Sequence, residues 1–243
     1  DKLQQIDTLL GELNQYRANE NYRITEALEI EYTYDSNRIE GNTLTLHETD
    51  MVVNKGITIA GKGLREHLEA INHKEAIDFI KDVAQKKEPI SERVLLDIHA
   101  IVLHSIDKDN AGKYRRVPVI ISGSKHIPPQ PYLLQPKMDE LFQWYEANKD
   151  SMHPVVLAAQ MHEKLVSIHP FIDGNGRTAR LLMNLILMQH GYPIANIKGD
   201  NETRRRYYET LEEASSGDNS AFVEFIEDVV IQSLTYYLKI IRG

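Results

Sequence analysis

Residues 169–180 bring together the side chains best suited to phosphate chemistry. The run reads His-Pro-Phe-Ile-Asp-Gly-Asn-Gly-Arg-Thr-Ala-Arg and stands between two apolar segments. Its Gly-Asn-Gly turn can direct backbone N–H groups at an anion, and the helix start that follows supplies further unpaired donors. A cluster of this composition predicts a site for nucleotide phosphates.

The charged members of the run have complementary chemistry. Arg177 and Arg180 are three residues apart, so in a helix they share one face and can clamp neighbouring phosphates. Asp173 is the single acid of the run and could hold a Mg²⁺ ion that the same phosphates complete. His169 is a candidate general base, because imidazole titrates near neutral pH.

The run meets every defined position of the signature His-Pro-Phe-x-(Asp/Glu)-Gly-Asn-Gly-Arg-x-x-Arg, and there the chain resembles the Fic-domain family. Most members of that family transfer AMP from ATP to a hydroxyl of a target protein. The resemblance implies that His169 deprotonates the target hydroxyl and that Asp173 coordinates Mg²⁺. It also implies that Gly174, Asn175 and Gly176 form an anion hole for the phosphates of ATP. Arg177 and Arg180 would bind the outer phosphates.

A second motif occupies residues 36–42, Ser-Asn-Arg-Ile-Glu-Gly-Asn. By itself it is typical of a helix end, since Gly41 suits a left-handed C-cap and Glu40 suits a surface. It also matches the (Ser/Thr)-x-x-x-Glu-(Gly/Asn) inhibitory helix of Fic proteins, and its continuation through residue 46 resembles animal Fic-domain AMP transferases.

The resemblance implies an inhibitory helix at about residues 25–41. In that arrangement Glu40 pairs with Arg180, the cation that would hold the γ-phosphate, while Ser36 helps to hold the helix in place. ATP would then bind only in an orientation that turns its α-phosphate away from attack. Some relatives use the same glutamate to position the water that removes AMP from the target.

Hydrophobic periodicity predicts a nearly all-helical chain. Helices are expected at residues 3–17, 25–36, 64–85, 91–104, 135–148, 154–168, 178–190, 202–215 and 220–240. The apolar run at residues 181–188 is expected to be core, which would seat the phosphate loop between two buried helices. We therefore predict an all-α Fic fold, a multi-helix bundle forming one domain over residues 1–243, with its core Fic region at about 91–230.

Residues 114–127 contain the single strand-like pattern. Alternating Val117, Val119 and Ile121 precede a Ser-Gly turn, which predicts a small β-hairpin. Fic enzymes carry a flap at this place that aligns the target segment, and an extended target strand could pair with its edge. The residues expected to dock the target are Ile121, Ser122, Gly123, Ser124, Lys125 and His126.

Tyr207 and Tyr208 resemble the segment that packs on adenine in related proteins. Aromatic faces suit a purine, and ordinary helix packing is the alternative explanation. Ser215 departs from the family pattern, because the relatives carry an asparagine there. The departure bears on the choice of nucleotide base more than on the phosphate chemistry.

The composition limits the classes of partner. A net charge of −8 disfavours nucleic acid, and no apolar run is long enough to span a bilayer. The chain has no cysteine, which excludes disulfides and thiol nucleophiles and fits a reducing, cytoplasmic location. The chain begins with Asp1, which leaves room for a trimmed N-terminus and a lost targeting segment.

Three functions remain open from the sequence. The leading hypothesis is a protein AMP transferase acting on a Ser, Thr or Tyr hydroxyl, with a homodimer expected from relatives of this arrangement. The second is transfer of another nucleotide or a phosphate group at the same site, and the third is a helical module that only binds nucleotide. A zinc hydrolase is disfavoured, because His162 and His169 lack a third ligand at fitting spacing.

Overall fold

The computed structural model describes all residues from 1 to 243, and its regular structure is helical throughout. The α-helices are α1 (Lys2–Gln15), α2 (Tyr22–Ile39), α3 (Leu46–Lys55), α4 (Leu64–Gln85), α5 (Glu92–Val102), α6 (Leu134–Asn148), α7 (Pro154–Ile168), α8 (Asn175–Gln189), α9 (Asn201–Ser215) and α10 (Ser220–Arg242). The predicted all-α bundle is confirmed. None of these helices has the length and apolar character needed to cross a membrane.

Helix α8 is the buried centre of the bundle. It packs against α2, α4, α5 and α7, and every residue from Arg177 to Leu187 is buried. A helix that is apolar on all sides is stable only when other helices surround it, which is why the Leu- and Met-rich run forms this element. The first turn of α8, which carries the phosphate motif, therefore projects from a rigid base.

Helix α2 carries the second motif at its C-terminal end. It begins earlier than its periodicity indicates, because the side chain of Asn21 accepts hydrogen bonds from the N–H groups of Arg23 and Ile24. It ends at Ile39, and Gly41 follows with φ of 94°, the left-handed conformation that its glycine predicted. Glu40 is thus held at the last turn of a helix.

Helix α3 was missed by the sequence analysis, which predicts no helix between residues 42 and 63. Its start is a capping box, in which Thr45 accepts from the N–H of Glu48 and the Glu48 carboxylate accepts from the N–H of Thr45. Its end is Gly56, with φ of 65°. Both signals are present in the sequence, so this helix could have been predicted from its caps.

The predicted β-hairpin at residues 114–127 is wrong. The structure has a turn at this place, closed by a hydrogen bond from Ser124 N to Ile121 O (3.1 Å), but no ladder joins the two arms. Pro118, Pro128 and Pro129 have no N–H to donate, which removes rungs that a ladder would need. We call residues 116–129 the flap loop.

The side chain of Arg115 holds the flap loop instead of a ladder. Its Nη1 donates to Val117 O (2.9 Å) on one arm and its Nη2 donates to Pro129 O (2.7 Å) on the other. Its Nε donates to His169 O (2.7 Å), so the same guanidinium joins the flap loop to the phosphate loop. Arg115 is buried, and no local pattern in the sequence marks it for this role.

We expect Arg115→Met to destabilise the protein by about 3 kcal/mol, because three backbone carbonyls lose the charged donor of a buried side chain. Urea denaturation would measure that loss, and trypsin cleavage after Lys125 should become faster. Arg116→Met is the matched control, since Arg116 is the exposed neighbour. Equal stability and equal cleavage of the two variants would contradict this account of the flap loop.

Candidate active site

The loop between α7 and α8 turns through two left-handed residues. His169 ends α7 with φ of 51°, and Gly174 precedes α8 with φ of 82°. This conformation costs a residue other than glycine about 1 kcal/mol, and His169 adopts it as the C-cap of α7. The turn brings the His169 side chain into the same cavity as the first turn of α8.

The side chain of Asn175 braces this loop. Its Oδ1 accepts from Phe171 N (2.9 Å) and its Nδ2 donates to Phe171 O (2.8 Å), so both ends of the amide are used. The side chain is buried, and one of the two N–H groups of Nδ2 is taken by Phe171 O. The sequence placed Asn175 in an anion hole, and its backbone N–H and the second N–H of Nδ2 have no acceptor in the protein.

His99 forms the floor of the loop, a role that the sequence did not reveal. Its ring stacks on Phe171 with centroids 3.6 Å apart. Its Nδ1 accepts from Gly112 N (2.9 Å), so Nε2 carries the proton and donates to Asp173 O (2.8 Å). Burial lowers the pKa of His99 to about 4, which keeps the ring neutral and this hydrogen-bond pattern intact at pH 7.

The first turn of α8 presents an anion site, and Glu40 lies against it. The backbone N–H groups of Asn175, Gly176 and Arg177 have no intrahelical acceptors, as in any first helical turn. A Cβ atom at Gly176 would collide with Glu40 Oε1 and lie 2.9 Å from Arg180 Nη1. Glycine at this position therefore allows the carboxylate of Glu40 to approach the start of the helix.

Arg180 is buried and engaged by four acceptors. Its Nη2 donates to Glu40 Oε1 (2.7 Å) and to Ser36 O (3.0 Å), and its Nε donates to Ser36 Oγ (2.9 Å). Its Nη1 donates to Tyr207 OH (3.0 Å). Burial opposes the charge, but Tyr207 and Glu40 raise the pKa of Arg180 above its ordinary value, so the guanidinium stays charged. The ion pair expected from the two motifs is present.

Tyr207 lies beneath the site and positions Arg180. Its hydroxyl accepts from Arg180 and donates to His162 Nε2 (2.9 Å), and burial lowers the pKa of His162 well below its ordinary value. Tyr207 is 1% exposed and packs among aromatic rings, whereas Tyr208 is 45% exposed. Of the two tyrosines predicted to face adenine, Tyr208 alone presents an accessible ring.

Asp173 and Arg177 lie at the rim of the loop and contact α4. Asp173 Oδ1 accepts from Gly174 N (2.8 Å), and Oδ2 pairs with Arg65. Although burial opposes it, Arg177 and Arg65 lower the pKa of Asp173, so the carboxylate is ionised at pH 7. Arg177 is buried and pairs with Glu69, while its Nε has no partner. Arg65 and Glu69 were not found from the sequence.

A cavity of about 510 Å³ joins these groups. One part holds His169, Glu40 and the start of α8, and the opposite part is bounded by α9. Its lining from α9 includes Tyr208, Leu211, Glu212 and Ser215, and its lining from the flap loop is Ile121, Ser122, Gly123 and Ser124. The cavity thus brings together His169, the start of α8, one face of α9 and the tip of the flap loop, whereas Asp173, Gly174 and Arg177 do not line it.

The tip of the flap loop is tied to α9 and α7. The carboxylate of Glu212 accepts from Ser124 Oγ (2.5 Å) and Lys125 N (2.9 Å), and His126 Nε2 hydrogen-bonds to Ser167 O (2.7 Å). Lys125 and His126 do not line the cavity. The backbone N–H groups of residues 119–123 have no acceptor in the protein and remain available to a partner strand.

Comparison with known proteins decides the family. A family model described as the Fic/DOC family matches residues 89–187. A Fic domain containing signaling protein from Bacteroides thetaiotaomicron is 30% identical in sequence and has a TM-score of 0.89, with 100% of this chain and 97% of that chain covered. The chain belongs to the Fic/DOC family. The resemblance inferred from its two motifs is confirmed.

Other relatives of this Fic chain come from animals. Fic-1 of C. elegans is 31% identical with a TM-score of 0.87, and the match covers 99% of this chain and 72% of that chain. The protein adenylyltransferase Fic of Nematostella vectensis is 39% identical over 210 residues, and that of Culex quinquefasciatus is 41% identical over 211. Each match covers 86% of this chain but only 48% and 41% of those relatives, so the chain spans about half of their length or less.

The close approach of Glu40 to Gly176 can be tested by a double-mutant cycle. We expect Gly176→Ala to destabilise the protein by about 2 kcal/mol, because the new methyl group displaces the carboxylate and strains the buried pair. In the Glu40→Gly background the same change should cost at least about 1 kcal/mol less, since the collision is gone and alanine favours the helix. Denaturant unfolding of the four proteins supplies the cycle, and strict additivity would contradict the contact.

Proposed function

We propose that this Fic chain transfers AMP from ATP to a hydroxyl of a Ser, Thr or Tyr side chain on a target protein, and to itself. The observation that carries the proposal is the single cavity, in which His169 lies together with an unpaired helix N-terminus and the exposed ring of Tyr208. The names of the curated animal relatives, protein adenylyltransferase Fic, support the same reaction class.

The general base in this proposal is His169. Burial lowers its pKa, so the imidazole is neutral at pH 7 and can accept the proton of the target hydroxyl. The deprotonated oxygen attacks the α-phosphorus, and the bond from that phosphorus to the bridging oxygen of the β-phosphate breaks. AMP is then joined to the target, pyrophosphate leaves, and His169 holds the proton.

The phosphates would be held by the first turn of α8. The free N–H groups of residues 175–177 are fixed by the helix and by the Asn175 brace, and the guanidinium of Arg177 is held by its ion pairs with Glu69 and Asp173. Preorganised donors of this kind neutralise charge as it moves onto the leaving group. Arg180 would hold the outer phosphate once Glu40 has left it.

The residues present fit a magnesium ion at Asp173. Mg²⁺ is usually bound in proteins through one or two carboxylates and completed by substrate phosphates and water. The Asp173 side chain is ionised, 44% exposed and next to the anion site. Bound there, the ion would neutralise phosphate charge, while Asp173 and the α8 donors orient the nucleotide.

The resting state in this proposal is inhibited by Glu40. Its carboxylate takes both the space beside Gly176 and one Nη donor of Arg180, which are the features that an outer phosphate needs. Ser36 strengthens the hold by accepting two further bonds from Arg180, and Gly41 lets the chain turn away after Glu40. The inhibitory helix is α2 as the structure defines it.

We expect Glu40→Gly to raise self-modification with labelled ATP at least about tenfold, because an outer phosphate gains Arg180. Intact-mass spectrometry with each nucleoside triphosphate and Mg²⁺ would identify the donor, and the AMP adduct is expected. Glu31→Gly is a suitable control, since Glu31 is on the same helix but contacts Tyr236 instead. Equal rates for the parent and Glu40→Gly proteins would refute the inhibition.

The base assignment has its own test. Glu40→Gly combined with His169→Ala should bind ATP yet form no adduct. If this double variant formed the adduct at an undiminished rate, a group other than His169 would accept the proton of the target hydroxyl.

The rate should also report the lowered pKa of His169. In the Glu40→Gly protein at saturating Mg²⁺ and ATP, we expect activity to fall as pH decreases through that pKa, because protonated imidazole cannot act as a base. The midpoint of the acid limb should lie below about 6.5, the ordinary value for histidine. A midpoint at or above 6.5, measured from pH 5 to 8, would contradict the role assigned to burial.

Removal of AMP from a modified target is a second candidate activity. Glu40 lines the cavity that contains His169, and its side chain remains 32% exposed, so it can position a water molecule there. Incubating modified protein with the parent chain should then release AMP, and Glu40→Gly should not. If neither protein releases AMP, this activity is absent.

The free N–H groups at the tip of the flap loop support docking of an extended target segment.

Tyr208 and Leu211 support adenine as the base, although Ser215 donates to Leu211 O and offers little to the nucleotide. The homodimer expected from the family resemblance stays a prediction. The cytoplasmic location stays a prediction.

A further inference from the structure

Four charged side chains beside the phosphate loop form a closed ring of alternating sign. Arg65 Nη2 contacts Asp173 Oδ2 at 2.5 Å, and Asp173 Oδ1 lies 3.5 Å from Arg177 Nη2. Arg177 Nη1 lies 3.4 Å from Glu69 Oε2, which lies 3.5 Å from Arg65 Nε. The ring joins α4, the loop and α8.

The two halves of this ring differ in burial. The side chains of Arg177 and Glu69 are 4% and 12% exposed, whereas those of Arg65 and Asp173 are 58% and 44% exposed. An exposed ion pair is weakened by solvent and side-chain entropy, but a buried pair resists separation. The contact between Arg65 and Asp173 is therefore the one that can open while Glu69 still holds both arginines.

We propose that Arg65 competes with the divalent cation for Asp173. The inference rests on the proposed function, in which Asp173 holds that cation. The guanidinium already occupies Oδ2, and a second cation cannot approach the same oxygen until Arg65 moves away. Arg65 then acts as a positioning residue that sets how strongly the site retains Mg²⁺ with the nucleotide.

The resting site therefore contains a protein group in place of each charge that the substrate would bring. Glu40 lies where an outer phosphate would lie, and Arg65 lies where the cation would lie. The nucleotide and its cation must displace both contacts. Removing Arg65 should make the site easier for the cation to occupy, without changing the contact of Glu40 that an outer phosphate must displace.

Titration calorimetry with α,β-methylene ATP, which cannot lose pyrophosphate, tests this in the Glu40→Gly background. Each protein is titrated once in Mg²⁺ and once in EDTA. We expect Arg65→Ala to bind the analogue about three- to fivefold more tightly in Mg²⁺ and no more tightly in EDTA. Arg65→Lys, which keeps the charge, should stay close to the parent protein.

Arg242→Ala is the matched control, because it removes an arginine of similar exposure that pairs with Glu12 at the end of α10. Its affinities should equal those of the parent. Weaker binding of Arg65→Ala in both conditions would make Arg65 a phosphate ligand and overturn the inference, and so would no change in either. A Glu40→Gly protein that binds no analogue at all would refute the proposed function as well.

Discussion

The buried guanidinium of Arg180 is the interaction on which the rest of the site depends. A buried cation is stable only when nearly all of its donors find acceptors, and here α2 supplies three of them and α9 the fourth. Removing one partner of such a pair costs about 3–5 kcal/mol. The cation that suits a phosphate thus requires α2, α8 and α9 to meet, and Tyr207 extends the connection through His162 to α7.

The loop around this cation is rigid before any ligand arrives. The amide of Asn175 closes it from within, the stacked ring of His99 supports it from below, and Arg115 ties it to the flap loop. Some of these hydrogen bonds are made by side chains that a sequence motif alone would predict to contact the ligand. Transition-state stabilisation by fixed dipoles needs such rigidity, because donors that must reorganise during the reaction stabilise charge poorly.

Internal pairing explains how so many charges can share a small site without a ligand. Arg180 is matched by Glu40, and Asp173 is matched by Arg65 and Arg177. A substrate that carries both an anion and a cation can replace each of these ion pairs with a contact between opposite charges. In the proposed function, these ion pairs also add to the free energy that the nucleotide must supply to bind.

Nine of the ten α-helices could be predicted from the sequence, because hydrophobic periodicity and caps act within a few residues, and α3 is the exception. The chemistry of residues 36–41 and 169–180 could be inferred because those groups are adjacent in the chain. It misjudged the flap loop, since alternation describes which way side chains point but not whether the backbone has a partner. The contacts of His99, Arg65, Arg115 and Tyr207 could not be predicted from the sequence and come from the folded structure. Their contacts join positions far apart in the chain, and packing of the buried α8, not local pattern, brings those positions within hydrogen-bond distance.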